Sequence, residues 1–273
     1  MPPAMTDQEL TAFREYIYGL AGIQLDASKK YLLETRLSDL EAELGGKGYG
    51  EILRQAKTNP RLERRVVDAV STNETFFFRD RKYFDLVKFK LLPELFGDNT
   101  KRPLTIWSAA SSTGQEAYSL SMVMKELLFD LSGARVRILG TDISEAVVNA
   151  ANKGDFTAFD LQRGLSEAEI AKYFVKMGDR FRVSDELRSI CRFQTDNLLG
   201  ARPPFPGRAE IVLLRNVLIY FSEADRKRVV ERILKIMSPD GFLIVGAAEA
   251  ILSIKDRLAR EEFLGAVYYR LRG

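Results

Sequence analysis

The sequence predicts an α/β protein: a doubly wound, Rossmann-like parallel sheet, preceded by an all-helical domain and carrying a small antiparallel β subdomain. Three observations lead there. Over the first seventy residues apolar positions recur at helical spacing. From Pro103 onward apolar runs of strand length alternate with helical stretches, the pattern of crossover connections. Between Lys153 and Phe193 the interval is too long for one connection and holds two short alternating stretches. We therefore expect a helical domain over 1–70, a linker over 71–79 and a sheet domain over 80–273, with the β subdomain inserted at 153–193.

The elements follow in order. Thr6 and Glu9 have the spacing of a capping box, and Leu10, Phe13, Ile17 and Leu20 recur at helical intervals before Gly22. A second helix is expected to begin near Asp26, run through Tyr31 to Leu44 and stop at Gly45 and Gly46. Shorter helices follow around Glu51 to Lys57 and over Pro60 to Val70, the latter with proline at its first position. Strands are expected at Leu104–Ser108, Val136–Thr141, Ala209–Leu214 and Phe242–Gly246, with helices as right-handed crossovers between them. Ala266–Leu271 alternates and closes the sheet as a late strand, free to run antiparallel. Arg180–Val183 and Ile190–Phe193 supply the antiparallel excursion.

Composition removes much chemistry. The chain has 273 residues, 46% of them hydrophobic, enough for a large core. Lys and Arg total 41 against 38 Asp and Glu, a net charge of +3 that is too even to argue for nucleic acid. No apolar run approaches a membrane span, and Met1-Pro-Pro-Ala-Met-Thr-Asp7 lacks the regions of a secretory signal, so a cytoplasmic protein is expected. There is no histidine and one cysteine. That excludes histidine bases, Cys/His zinc sites, disulfides and the Ser-His-Asp triad, and no metal site is expected. Cys191, in an alternating segment, reads as a small core residue.

The most informative stretch is Leu104 to Leu120. Leu104–Trp107 form an apolar strand, Ser108–Gly114 are small residues that let the backbone approach a ligand, and helical spacing resumes at Gln115. The turn has neither the G-x-G-x-x-G pattern nor a phosphate loop, so a cofactor without a pyrophosphate, such as S-adenosylmethionine, fits better. By itself the stretch could equally be an ordinary strand-to-helix connection. A second strand, Arg135–Asp142, ends in an acidic residue where doubly wound folds place a carboxylate on ribose hydroxyls. Asp142 could also cap a helix over Ile143–Ala151, and both roles could hold at once. Methyl transfer from a sulfonium to an ionised carboxylate needs neither metal nor base, which suits a histidine-free chain.

Four segments in order carry a resemblance: Thr72-Asn-Glu-Thr-Phe-Phe-Phe-Arg79, Trp107-Ser-Ala-Ala-Ser-Ser-Thr-Gly-Gln-Glu116, Gly140-Thr-Asp-Ile143 and Leu214-Arg-Asn-Val-Leu-Ile-Tyr-Phe221. Over nearly its whole length the chain resembles the CheR-type chemotaxis receptor methyltransferases. The resemblance implies methylation of glutamate side chains on the cytoplasmic domains of bacterial chemoreceptors, with S-adenosylmethionine as donor and S-adenosylhomocysteine as product. On matching positions it implies cofactor contacts from Thr75, Arg79, Ala110, Glu116, Asp142, Asn197, Leu198, Asn216 and Val217, with Arg79 and Tyr220 flanking the reacting methyl. Asp142 would take the ribose hydroxyls, and Glu116 would lie near the amino-acid end, where a carboxylate meets an ammonium. The chemistry of Arg79 agrees, because a guanidinium leaving the apolar cluster Phe76–Phe78 is a poor choice unless it meets an anion. Phe76–Phe78 read as an apolar plug between the two domains in preference to an adenine stack. Tyr220 follows a strand, where such sheets open their ligand crevice, although a buried ring with a satisfied hydroxyl has the same signature.

The chain departs from the family in three places. Gly114-Gln115-Glu116-Ala117 stands where members commonly read Gly-Glu-Glu-Pro. Many members carry several arginines on the second helix, whereas here Arg36 is followed by Asp39, Glu41 and Glu43. Lys29, Lys30 and Arg36, or Arg61, Arg64 and Arg65, remain candidates for receptor contact, and each is equally the charge of a solvated helix face. Some relatives bind a receptor pentapeptide through a longer loop where this chain has only Lys176–Arg182, so the tether is expected to be absent. Competing classes fare worse. A regulatory module without catalysis has no need of Arg79 and Tyr220, a nucleic-acid methyltransferase lacks its Asn-Pro-Pro-Tyr type motif, and a nicotinamide dehydrogenase lacks its glycine fingerprint.

Overall fold

The computed structural model describes residues 4–97, 103–131, 135–249 and 256–272. The first three residues of the stretch read for a secretory signal therefore lie outside the described residues. The chain opens with α1 (Asp7–Ala21), capped by the reciprocal Thr6 and Glu9 bonds and closed by Gly22 at φ 70°. Asp26 caps a 3-10 turn over Ala27–Lys29, so α2 (Lys30–Glu43) begins one turn later than its expected start. α3 (Tyr49–Ala56) and α4 (Pro60–Val70) follow, the latter capped by Asn59. Their apolar stripes meet in a core of their own, where Phe13, Ile17, Leu37, Ile52 and Val66 are fully buried.

A broken helix leads into the sheet: α5 (Lys82–Leu86), a π turn over Val87–Leu91 and α6 (Leu92–Phe96). Then come β1 (Leu104–Ala109), α7 (Gln115–Leu128), β2 (Val136–Asp142) and α8 (Glu145–Lys153). The inserted part comprises β3 (Asp155–Thr157), α9 (Ala158–Gln162), α10 (Glu167–Tyr173), β4 (Phe174–Met177), β5 (Arg180–Val183) and α11 (Asp185–Ser189). β6 (Cys191–Thr195), β7 (Ala209–Leu214), α12 (Glu223–Ile236), β8 (Met237–Val245), β9 (Leu258–Phe263) and β10 (Ala266–Leu271) complete the chain.

The large sheet runs β6-β2-β1-β7-β8-β10-β9, parallel through β8, with β10 and β9 antiparallel. Alternate residues of each central strand serve opposite faces. Ile106, Ile211 and Ile244 enter the core beneath α7, while Trp107, Val212 and Val245 enter the one beneath α12. Burial on both faces is why these strands read as unbroken apolar runs. Several strands differ from expectation: β3 and β4 are additional to the expected ones, and β8 starts at Met237, ahead of Phe242. Cys191–Phe193 of the expected Ile190–Phe193 stretch lie in β6, which pairs parallel with β2 at the sheet's edge, so the small sheet is only β3-β5-β4. β9 escaped reading because its Leu-Ala-Arg-Glu-Glu-Phe sequence is too polar for a strand signal, and as an edge strand it needs little apolar surface.

The helical module sits over the carboxyl ends of the strands. The Tyr18 hydroxyl donates to Asp225 at 2.7 Å, Asn197 donates to the carbonyl of Leu20 at 2.8 Å, and the Ser144 hydroxyl donates to Asp68 at 2.7 Å. Gly22 packs against the tip of the Leu199 side chain and the Phe221 ring, and its φ of 70° favours glycine there. Among the described residues no helix is long and apolar enough to cross a membrane, and no group of side chains is suited to a metal ion.

Candidate active site

The chain reverses its direction of winding between β1 and β7, and doubly wound sheets open a crevice at the carboxyl ends of such neighbours. Ala109 is in register with Thr141 of β2 and Leu214 of β7, which brings the three following loops to one level. After β1 the backbone is left-handed at Ala110 (φ 63°), Ser112 (φ 50°) and Gly114 (φ 94°). Non-glycine residues hold that conformation only where their surroundings over-determine it, and it is common beside ligands. The Ser111 N–H bonds to Thr141 O at 2.9 Å, and the Ser112 hydroxyl donates to the Asn73 carbonyl at 2.9 Å, drawing the linker onto the turn. The Ser111 hydroxyl is buried with no partner among the described residues, a donor left for a ligand.

Asp142 ends β2 and is 8% exposed. It accepts the N–H of Ser112 at 2.9 Å and of Ser144 at 3.1 Å. Burial pushes its carboxyl above the usual aspartate value, against the opposing pull of the Ser144, Ser112 and Ile143 amides. The helix that follows is capped by Ser144, so the alternative in which Asp142 caps it does not hold.

Glu116, in the first turn of α7, takes the Ser108 hydroxyl at 2.7 Å and the Arg215 guanidinium at 2.8 Å. Arg215 also bonds to Asp80 at 2.8 Å and to the Arg79 carbonyl at 2.6 Å. The next residue, Asn216, is left-handed at φ 59°, and its N–H goes to the buried carboxylate of Glu249 at 2.6 Å. Arg215 and Glu249 were not among the expected site residues. The signal for Arg215 was present, since it lies inside Leu214-Arg-Asn-Val217, directly after an apolar strand. Glu249 has no local signal.

Arg79 donates to the Glu74 carbonyl at 2.9 Å, and its guanidinium lies 5.8 Å from the Phe76 ring centroid. Phe77 is fully buried, edge-on to Phe156 and Phe174, so the aromatic plug fastens the small sheet to the large domain and does not join the two domains. Tyr220 is half-buried, and its hydroxyl has no partner among the described residues, which sets aside the buried, satisfied ring. Its carbonyl accepts the Gln24 N–H at 2.9 Å, tying the turn to the helical module. Asn197 holds its own turn through the Leu199 N–H at 2.9 Å.

Thr75, Arg79, Ala110, Glu116, Asp142, Asn197, Leu198, Asn216, Val217 and Tyr220 line one cavity of about 330 Å³. Its size is that of a small-molecule site. The helical module supplies another wall, including Ile23 and Leu25, that the sequence did not reveal. The basic candidates disperse. Lys29 and Arg36 line this cavity, and Arg36 is spent on the Val70 carbonyl and the Thr72 hydroxyl. Lys30 pairs with Asp7 at 3.2 Å, Arg64 with Glu145 at 3.0 Å and Arg65 with Glu43 at 2.7 Å, while Arg61 is exposed. The residues suit S-adenosylmethionine: a carboxylate at a strand end, an unpaired hydroxyl, a close-approach turn and no phosphate cradle.

Comparison with known proteins agrees with this geometry. Residues 8–71 match the family described as CheR methyltransferase, all-alpha domain, and residues 73–264 match CheR methyltransferase, SAM binding domain. Chemotaxis protein methyltransferase 1 of Pseudomonas aeruginosa is 37% identical over 100% of both chains. Chemotaxis protein methyltransferase Cher2 of Pseudomonas putida is 35% identical over 95% of this chain and 96% of its own. Chemotaxis protein methyltransferase of Vibrio anguillarum is 35% identical over 98% of each. Both family matches and full-length relatives thus fall on the same two units, and the chain belongs to the CheR family of S-adenosylmethionine-dependent methyltransferases of chemotaxis.

Proposed function

We propose that the protein methylates glutamate side-chain carboxylates on the cytoplasmic domains of bacterial chemoreceptors, giving the methyl esters used in adaptation, and that it works in the cytoplasm. The observation that carries this reading is the convergence of Arg79 and Tyr220 on the cavity that also contains Asp142 and Glu116. A cationic guanidinium and an unpaired phenol beside the donor site suit an anionic acceptor. The cofactor supplies an activated methyl on sulfur, so the chain's task is alignment and exclusion of water. Asp142 accepts the ribose hydroxyls, Glu116 faces the amino-acid end, and Thr75, Ala110, Asn197, Leu198, Asn216 and Val217 wall the ligand. Arg79 orients the incoming carboxylate, and Tyr220 steadies it from the opposite turn.

Receptor contact is assigned to the exposed basic residues of the helical module, Lys29, Arg61, Arg64 and Arg65, with Lys30 half-buried beside Asp7 and Arg36 committed to Val70 and Thr72, acting through weak, salt-screened attraction. Pentapeptide tethering is not part of the reading. β4 and β5 are joined by only Gly178 and Asp179, with φ 66° at Gly178, a tight two-residue hairpin that offers no extended loop. The test is incubation with methyl-labelled S-adenosylmethionine and purified receptor cytoplasmic domains. Base-labile label mapping to glutamates supports the assignment, and label on another residue type removes it.

A further inference from the structure

We infer that Arg215 is a positioning residue that sets the backbone beneath Arg79 and so aims its guanidinium at the acceptor. The inference rests on the reading of Arg79 given above. The Arg215 side chain is 1% exposed. Its two terminal nitrogens carry the contacts, Nη1 reaching Glu116 at 2.8 Å and Nη2 reaching Asp80 at 2.8 Å and the Arg79 carbonyl at 2.6 Å, while the buried Nε has no partner among the described residues. Its flat face lies over the Tyr83 ring, 4.5 Å from the centroid.

Two of those three acceptors belong to one strained turn. Phe78 (φ 51°) and Asp80 (φ 56°) are both left-handed, and Arg79 stands between them. Non-glycine residues keep such a conformation only where the surroundings over-determine it. The Phe78 N–H is tied to the Ser119 hydroxyl at 3.0 Å on one side, and Arg215 grips the Arg79 carbonyl and the Asp80 carboxylate on the other. The third acceptor, Glu116, lines the same cavity, so one fork couples the turn to the donor site. Lysine keeps the charge but presents its donors from a single atom and cannot span three acceptors.

Methylation kinetics on the full chain test the role. Arg79→Ala is expected to lower kcat about a hundredfold. Arg215→Lys is expected to lower kcat by about tenfold or more through misplacement of Arg79. The decisive comparison is the double variant, which should be no slower than Arg79→Ala alone, because there is then no side chain left to aim. Losses that multiply show that Arg215 acts independently of Arg79 and overturn the inference. Asp80→Asn repeats the cycle from the other end of the contact, so the outcome does not hang on one variant's folding. A wild-type rate for Arg79→Ala by itself overturns the assignment of Arg79, a different result from multiplied losses, and leaves Arg215 nothing to position.

Discussion

The carboxylate of Glu249, just beyond β8, accepts the backbone N–H of Asn216, just beyond β7, at 2.6 Å. It also takes the N–H of Leu218 at 2.6 Å and of Gly246 at 2.9 Å, so one 5% exposed side chain satisfies three backbone donors. A Cβ on Gly246 would lie 2.4 Å from that carboxylate, which is why glycine stands there. Bonds from an ionised acceptor to main-chain amides are among the stronger ones. Glu249→Ala is therefore expected to cost about 3 kcal/mol of stability, with Glu249→Gln losing about half as much. Denaturant unfolding of the two variants checks this, and cofactor affinity should fall with the same ranking.

Affinity and turnover should separate at two positions. Asp142→Ala is expected to weaken S-adenosylhomocysteine binding by about 1.5–3 kcal/mol in calorimetry, through loss of charged hydrogen bonds. Tyr220→Phe should leave that affinity nearly unchanged and lower kcat. Burial raises the Asp142 carboxyl above its ordinary 3.8, so the ionised acceptor is lost to protonation earlier than usual as pH falls. Binding should weaken as pH drops through that raised value, and Asp142→Asn should flatten the profile. The stability effect has the opposite sign: with the folded value raised, this group's contribution is full below 3.8 and is lost as pH rises through the folded value.

Acid should loosen the contact between the module and the sheet domain. Burial pushes the Asp225 carboxyl up, but bonds from Tyr18, Ser222 and Arg228 outweigh it and leave the group below 3.8. A lowered folded value means stability that is present above 3.8 and lost as pH falls through the folded value. Tyr18→Phe is expected to cost about 1 kcal/mol at neutral pH, a modest figure because the ring is partly exposed. The difference from wild type should shrink as Asp225 protonates. Unfolding curves at several pH values measure it, and a constant difference would detach Tyr18 from the titration.

A soluble receptor C-terminal pentapeptide should not bind. Without a tether there is no gain in effective concentration, and receptor methylation should weaken steeply with added salt. Titration of the peptide into the protein decides the point, and saturable micromolar binding would return the small sheet to a role in recruitment.

Local rules sufficed for much of this molecule. The Thr6 capping box, proline at the start of α4 and the apolar runs of β1, β2, β7 and β8 each act within a few residues, so the order of elements and the strand-end position of Asp142 were readable directly. Resemblance over four segments pointed to the family, and the cavity gathers the ten positions it nominated. Long-range partnership was not readable. Ile190–Phe193 alternates like any edge strand, and only pairing with β2 places its Cys191–Phe193 in the large sheet. Asp142 had the look of a cap until Ser144 took that position. Arg215 needed Asp80, 135 positions away, and Glu249 needed Asn216, 33 away, before either had a purpose. Periodicity and capping are set by near neighbours in the chain. The partners of a buried charge are set by which loops the sheet brings to its carboxyl edge, and that is decided only when the tertiary structure forms.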